Sequence, residues 1–129
     1  MKWFRKRREA PPTVVPVSVS DLKIDADSQA VEKISNMCAV AAVGAERVAQ
    51  SPHDDLVKHD RQRFESAKRM SLELAKTISD VSYRDSALHH IVDLCIKAND
   101  IDTARILVRG IQTGAIREQL LEEHPVIFY

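Results

Sequence analysis

Glycine, proline, cysteine and tryptophan are all scarce in this chain of 129 residues. Three glycines and five prolines are too few for the many turns of an all-β fold. The two cysteines, Cys38 and Cys95, lie in apolar stretches, so we expect buried free thiols, although a disulfide between them stays open. No apolar run approaches the ~18 residues that a membrane-spanning helix needs. These absences leave a helical globular domain as the expected class.

The chain also lacks the short motifs that indicate catalysis. It contains no glycine-rich phosphate loop, no His-Glu-x-x-His and no Gly-x-Ser-x-Gly. Neither cysteine lies in a signature of a catalytic thiol. We therefore predict a protein that is not an enzyme and that uses no cofactor. A small α-helical enzyme is the least favoured of three function classes.

The formal net charge of zero conceals a basic tip, defined here as residues 1–8. This tip combines two aromatic side chains with five cations: Lys2, Trp3, Phe4, Arg5, Lys6, Arg7 and Arg8. Aromatic rings settle at a lipid interface while cations pair with anionic headgroups, so the tip is a candidate for an anionic membrane surface. The same residues suit nucleic-acid phosphates, and a solvated, disordered terminus is the third alternative.

Three prolines, Pro11, Pro12 and Pro16, separate the basic tip from the rest of the chain. They forbid a helix and favour an extended linker, so we assign residues 1–24 to the tip and a flexible linker. Residues 25–124 then form one helical domain, and residues 125–129 form an apolar tail. No apolar segment of a signal peptide follows the tip, so we expect a cytoplasmic protein, or one peripheral to the inner face of a membrane.

Apolar residues recur at helical spacing from about residue 25 onwards. The predicted starts are Asp25–Asp27 for the first helix, Ser51 with Pro52 for the second, and Ser82 for the third. Two shorter helices follow, over 101–109 and 114–123. The predicted fold is all-α, with about five helices in antiparallel hairpins.

A short pattern occurs twice in the second half of the chain, at Ile78–Leu88 and at Ile111–Leu121. Each copy begins with an isoleucine, has an arginine and an acid at its seventh and eighth places, and ends with a leucine. The offset of 33 residues is typical of repeats built from a helix pair. Such a pair cannot bury its apolar face alone, so we predict that the C-terminal half forms a short α-solenoid-like stack.

Written out, this part of the chain resembles the α-helical repeat proteins related to tetratricopeptide repeats, over about residues 72–123. The residues that carry the resemblance are Ala75, Ile78, Tyr83, Arg84, Asp85, Ala87, Leu88, Ile91, Asn99, Asp100, Ala104, Ile111, Arg117, Glu118 and Leu121. Proteins of this architecture mostly bind other proteins. The resemblance therefore implies a non-enzymatic interaction module, such as an adaptor, a chaperone-like partner or an inhibitor.

Four charged residues recur at equivalent places of the two copies, namely Arg84, Asp85, Arg117 and Glu118. An ion pair or hydrogen bond between helices is the favoured interpretation, because repeats reuse structural positions first. The alternative is that these residues bind the partner protein. The competing function class is an accessory protein of a membrane or a nucleic acid that acts through the basic tip.

Two groups of side chains have part of the spacing of a metal site. One comprises His89, His90 and Asp93, and the other comprises His53, Asp55 and His59. A zinc site needs about four ligands, and the sequence offers no partner element for either group. We therefore predict that the protein holds no stoichiometric metal.

A helix-turn-helix over Ile101–Glu123 is excluded by charge. Its recognition helix would carry three acids and one arginine, the opposite of what a major groove attracts. Sequence-specific DNA binding is not expected.

Overall fold

The computed structural model describes the backbone of residues 19–128 and the side chains of residues 25–127. Five α-helices occur in this range: α1 (Val19–Gln50), α2 (Lys58–Ala75), α3 (Val81–Lys97), α4 (Ile101–Gly110) and α5 (Gly114–Glu123). Two 3-10 turns, Asp55–Val57 and Pro125–Phe128, precede α2 and follow α5. No strand occurs in this described part, and the prediction of an all-α fold is confirmed.

Two of the predicted helix starts are wrong. Helix α1 begins at Val19, inside the segment assigned to the linker. The residues expected to start the second helix, Ser51 and Pro52, form a turn instead. There the Asp54 N–H donates to the Ser51 carbonyl at 3.1 Å, and the Asp54 carboxylate accepts the Leu56 N–H at 2.9 Å. Asp54 therefore caps the 3-10 turn, and α2 begins only at Lys58.

The later helix boundaries follow from ordinary capping chemistry. Asp80, and not Ser82, caps α3 by accepting the Tyr83 N–H at 3.0 Å. Helix α3 ends at Lys97, and Asn99 follows two residues later with a φ of 63°, the left-handed conformation that asparagine tolerates just beyond a helix end. Asp100 then caps α4 through the Thr103 N–H at 3.3 Å. Helix α5 has the predicted bounds.

The hydrophobic core lies where α3 packs against α1, α2 and α4. Its largest fully buried aliphatic side chains come from four parts of the chain: Ile34 of α1, Ile91 and Leu94 of α3, Ile111 before α5, and Leu120 of α5. Burial of each such side chain stabilises the fold by about 1.5–3 kcal/mol. Helix α5, only ten residues long, therefore depends on this packing.

Gly44 lets α1 and α2 approach closely. A Cβ atom at Gly44 would lie 2.6 Å from the Asp60 Oδ1 atom of α2. That carboxylate is held by Arg47, whose Nε and Nη2 atoms donate to it at 2.9 and 3.2 Å. The glycine is thus required by the neighbouring helix, which compensates for its low helix propensity.

The two copies of the repeated pattern match in burial at their first and tenth places, but not at the eighth, where Asp85 is buried and Glu118 is exposed. Ile78 and Ile111 are both buried. Each lies two residues before the N-cap residue of the helix that follows it, α3 after Ile78 and α5 after Ile111. If the two copies are equivalent, the leucines that end them, Leu88 and Leu121, should both face the core, but they are only partly buried. The fully buried position lies one residue earlier, at Ala87 and Leu120.

Candidate functional site

Asp85 joins two helices from inside the molecule. Its side chain is fully buried, and its Oδ2 atom accepts the N–H groups of Gln112 at 3.1 Å and Thr113 at 2.7 Å. The Thr113 hydroxyl donates to the same oxygen at 2.6 Å. The favoured interpretation of a hydrogen bond between helices therefore holds for Asp85. The alternative role in partner binding does not fit it, because no partner can reach the side chain.

Asp27 of α1 makes the same kind of contact one helix pair earlier. It is buried, and its carboxylate accepts the N–H groups of Ser79 at 3.3 Å and Asp80 at 3.0 Å. In both cases the carboxylate receives the two N–H groups just before a helix, where the helix dipole favours negative charge. The sequence pattern gives no signal for this contact, because Asp27 and Asp85 are not separated by the 33-residue period.

The other three repeated charges lie closer to solvent. Glu118, which aligns with Asp85, is exposed and accepts no hydrogen bond from the described residues. Arg117 is exposed too, although its Nη1 atom lies 3.4 Å from the Ile111 carbonyl. Arg84 is half-buried and forms no ion pair with any described residue. Partner binding by these three residues stays a prediction.

An apolar groove runs between α1 and α2 on the outer surface, with a volume of about 600 Å³. Its apolar lining consists of Met37, Val40, Ala41, Ala67 and Met70. Val40 is 71% exposed and Met70 is 52% exposed, so neither is covered by the described part of the chain. A second hollow shares Met37 and Met70 and continues the groove towards Leu74 and Thr77.

The border of the apolar groove is basic. Arg63 and His59 line its first part, and Lys33 and Arg69 line its continuation. Arg63, Lys33 and Arg69 form no ion pair within residues 25–127. The one acid that lines the groove and its continuation, Glu73, is paired with Lys76 at 3.3 Å. The groove therefore presents an apolar floor under unpaired positive charge.

Sequence reasoning missed the apolar groove, although a signal was present. Val40 of α1 lines the groove and lies off the stripe that the core buries. Apolar residues on a second face of a surface helix indicate a second contact. Which helix would border that face could not be read from the sequence.

A His–carboxylate cluster, defined as His89, Asp93, Glu123 and His124, lies where α3 meets the end of α5. The His89 Nε2 atom is 3.5 Å from Asp93 Oδ2 and 3.4 Å from Glu123 Oε1. On the other side of Asp93, Oδ1 accepts a hydrogen bond from the His124 Nε2 atom at 2.8 Å. The premise that His89 and Asp93 have no partner element is therefore wrong, because α5 supplies one.

The two cysteines and the second group with metal-like spacing, which contains His53 and Asp55, have different outcomes. Cys38 and Cys95 are buried free cysteines, as expected. Burial raises the pKa of the Cys95 thiol to about 12 and also raises the pKa of Cys38 above its ordinary value. Both stay protonated at neutral pH, which makes them poor nucleophiles. His53 and Asp55 are exposed, and among the described residues they belong to no group with metal-ligand spacing.

The basic tip, residues 1–8, lies outside the described residues, and its predicted contact with an anionic surface stays a prediction. None of the helices in the described range combines the length and the apolarity needed to cross a bilayer.

Comparisons of the chain with protein-family models, with curated proteins and with solved structures returned no match.

Proposed function

We propose that this protein is a non-enzymatic interaction module that binds an amphipathic helix of a partner protein in its apolar groove. The observation that carries the proposal is the exposure of Val40 and Met70 in one continuous apolar groove. A concave apolar surface bordered by polar residues is a common form of protein-binding site. A groove between two helices accepts a third helix by ordinary side-chain packing.

The charge around the groove specifies the chemistry of the partner helix. Arg63, Lys33 and Arg69 border the apolar floor and have no carboxylate partner among the described residues. A helix with leucine-type anchors and flanking glutamates or aspartates would complement this border. Electrostatic complementarity of this kind mainly sets specificity and the rate of association. We therefore assign the groove to an acidic amphipathic helix.

The test uses two synthetic peptides and full-length protein. Both peptides carry leucines at positions i, i+3, i+4 and i+7, and they differ only in having glutamates or lysines beside the leucines. Fluorescence anisotropy should show that the acidic peptide binds more tightly, and that added salt reduces the difference. Amide chemical shifts of Val40, Ala41 and Met70 should move on binding.

Matched variants locate the binding site. Val40→Asp should weaken binding of the acidic peptide at least about tenfold, as loss of an apolar anchor does. Ile106→Asp is the control, because Ile106 is 63% exposed and lies on α4 outside the groove. Equal binding of both peptides, or binding that survives Val40→Asp, would contradict the proposal. A wild-type dimer that Val40→Asp dissociates would assign the groove to a second copy instead.

A further inference from the structure

The His–carboxylate cluster lies away from the apolar groove and has no part in the proposed function. We propose that His89, Asp93 and Glu123 bind one divalent transition-metal cation, with Zn²⁺ as the best fit. Such a cation would join α3 to the C-terminal end of α5. The proposal rests on the geometry of the cluster, and its test does not depend on the groove.

The donor atoms have the separations of metal ligands. Zinc lies about 2.0–2.1 Å from nitrogen and oxygen ligands, so two ligands at a tetrahedral angle are about 3.3 Å apart. The His89 Nε2 atom lies 3.4 Å from Glu123 Oε1 and 3.5 Å from Asp93 Oδ2. All three ligand atoms lie within 4.8 Å of one another. A cation between the two carboxylates would also offset their mutual repulsion.

Each carboxylate is held through the oxygen that faces away from His89. Asp93 Oδ1 accepts a hydrogen bond from His124 at 2.8 Å, and Glu123 Oε2 accepts one from the Gln119 side chain at 3.3 Å. Hydrogen bonds of this kind orient the carboxylate ligands of metal sites and are nearly as important as the ligands. The cluster therefore has both a set of ligand atoms and the contacts that orient them.

The backbone positions these groups on well-packed elements. His89 and Asp93 stand four residues apart on α3, which places them on one face of the helix. On the other side, the His124 N–H donates to the Leu120 carbonyl at 2.9 Å, and Leu120 is fully buried. The 3-10 turn that follows is anchored by Ile127, which is 7% exposed. Ligands on fixed elements lose little entropy when a metal binds.

The ligand types select the cation. One imidazole nitrogen favours zinc and its transition-metal neighbours over magnesium and calcium, which prefer oxygen ligands alone. The side chains of His89, Asp93 and Glu123 are 22%, 36% and 44% exposed, so water can reach the cation and supply a fourth ligand.

Calorimetric titration of chelator-treated, full-length protein with Zn²⁺ tests the proposal. We expect one Zn²⁺ bound per chain and a rise in Tm of roughly 5 °C or more at saturating Zn²⁺. Glu123→Gln, which removes a ligand charge and keeps the side-chain shape, should abolish one-to-one binding, and so should His89→Ala. His124→Ala removes only the contact that orients Asp93 and should weaken binding about 10–100-fold.

His53→Ala is the matched control, because His53 is an exposed histidine outside the cluster, and it should bind Zn²⁺ like wild type. Wild-type protein that binds no Zn²⁺ would reduce the cluster to an ion-pair group and overturn the proposal. Binding that survives Glu123→Gln, or that His53→Ala removes, would overturn it too.

Circular dichroism checks the fold of each variant. If His89→Ala fails to fold, Glu123→Gln decides, since Glu123 is at the surface. Equally tight binding of Mg²⁺ would refute a transition-metal site.

Discussion

At the scale of single residues, the carboxylates of Asp27 and Asp85 each connect one helix to the start of another. The helices that follow these two contacts, α3 and α5, differ in whether their own N-cap side chain forms a capping hydrogen bond. Asp80 caps α3 with its own side chain, whereas Thr113, at the same position before α5, makes no such bond and gives its hydroxyl to Asp85. Asp85 is therefore the side chain that accepts the two N–H groups just before α5.

Asp85→Ala should lower the free energy of unfolding by about 2–4 kcal/mol, because the Gln112 and Thr113 N–H groups lose their acceptor. Asp85→Asn should cost less, since the amide oxygen can still accept. Urea denaturation measures both values.

Glu118→Ala is the control for the aspartate variants, because Glu118 aligns with Asp85 and is exposed. Its effect on stability should stay within about 0.5 kcal/mol. If Asp85→Ala also costs no more than about 0.5 kcal/mol, the buried contact contributes nothing to stability.

At the scale of elements, α5 is held by packing on one side and by side-chain contacts at both ends. Leu120 packs into the core, Asp85 binds its start, and the His–carboxylate cluster lies at its end. The helix is too short to be stable alone. The position of α5 in the fold depends on these contacts. The His–carboxylate cluster forms only while the end of α5 lies beside α3.

Leu120 and Leu121 are neighbours whose replacement should have different costs. Leu120→Ala should reduce stability by about 2–5 kcal/mol, because it leaves a cavity in the core. Leu121→Ala should reduce it clearly less, because Leu121 is only partly buried. Melting curves of the two variants give the comparison. Equal losses of stability in the two variants would show that Leu121 packs in the core, as the alignment of the two copies implies.

At the scale of the whole molecule, the two proposed sites lie on different helix pairs. The apolar groove is formed by α1 and α2, and the His–carboxylate cluster is formed by α3 and α5. Occupation of one site therefore involves no ligand residue of the other. The basic tip adds a third candidate contact, located by sequence alone.

We predict that full-length protein binds weakly to anionic lipid vesicles through the basic tip and that a variant lacking residues 1–9 does not. Each cation near an anionic surface contributes about 1 kcal/mol, and salt screens this attraction. Sedimentation with vesicles measures the binding. Trp3 is the one tryptophan in the chain, so its fluorescence should shift to the blue on binding. Neither sedimentation nor a shift at low salt would indicate a terminus without this role.

Helical periodicity and capping residues predicted much of the fold, because both act between residues close in sequence. The start of α4 follows from Asp100, which caps that helix with its own side chain. Helix α5 has the predicted bounds, although Thr113 makes no capping hydrogen bond to it. The start of α2 was wrong because two capping signals, Ser51 and Asp54, compete within four residues, and only the turn between them decides.

The sequence by itself determined the all-α class, the buried cysteines and the pairing of His89 with Asp93 on one helix face. Only the tertiary structure decided which helix surfaces stay uncovered and which distant residues meet. Met37 lies beside Met70, and His89 beside Glu123, because α1 packs on α2 and α3 on α5. Helical periodicity shows which face of a helix is apolar, but it carries no information on which other helix that face will contact.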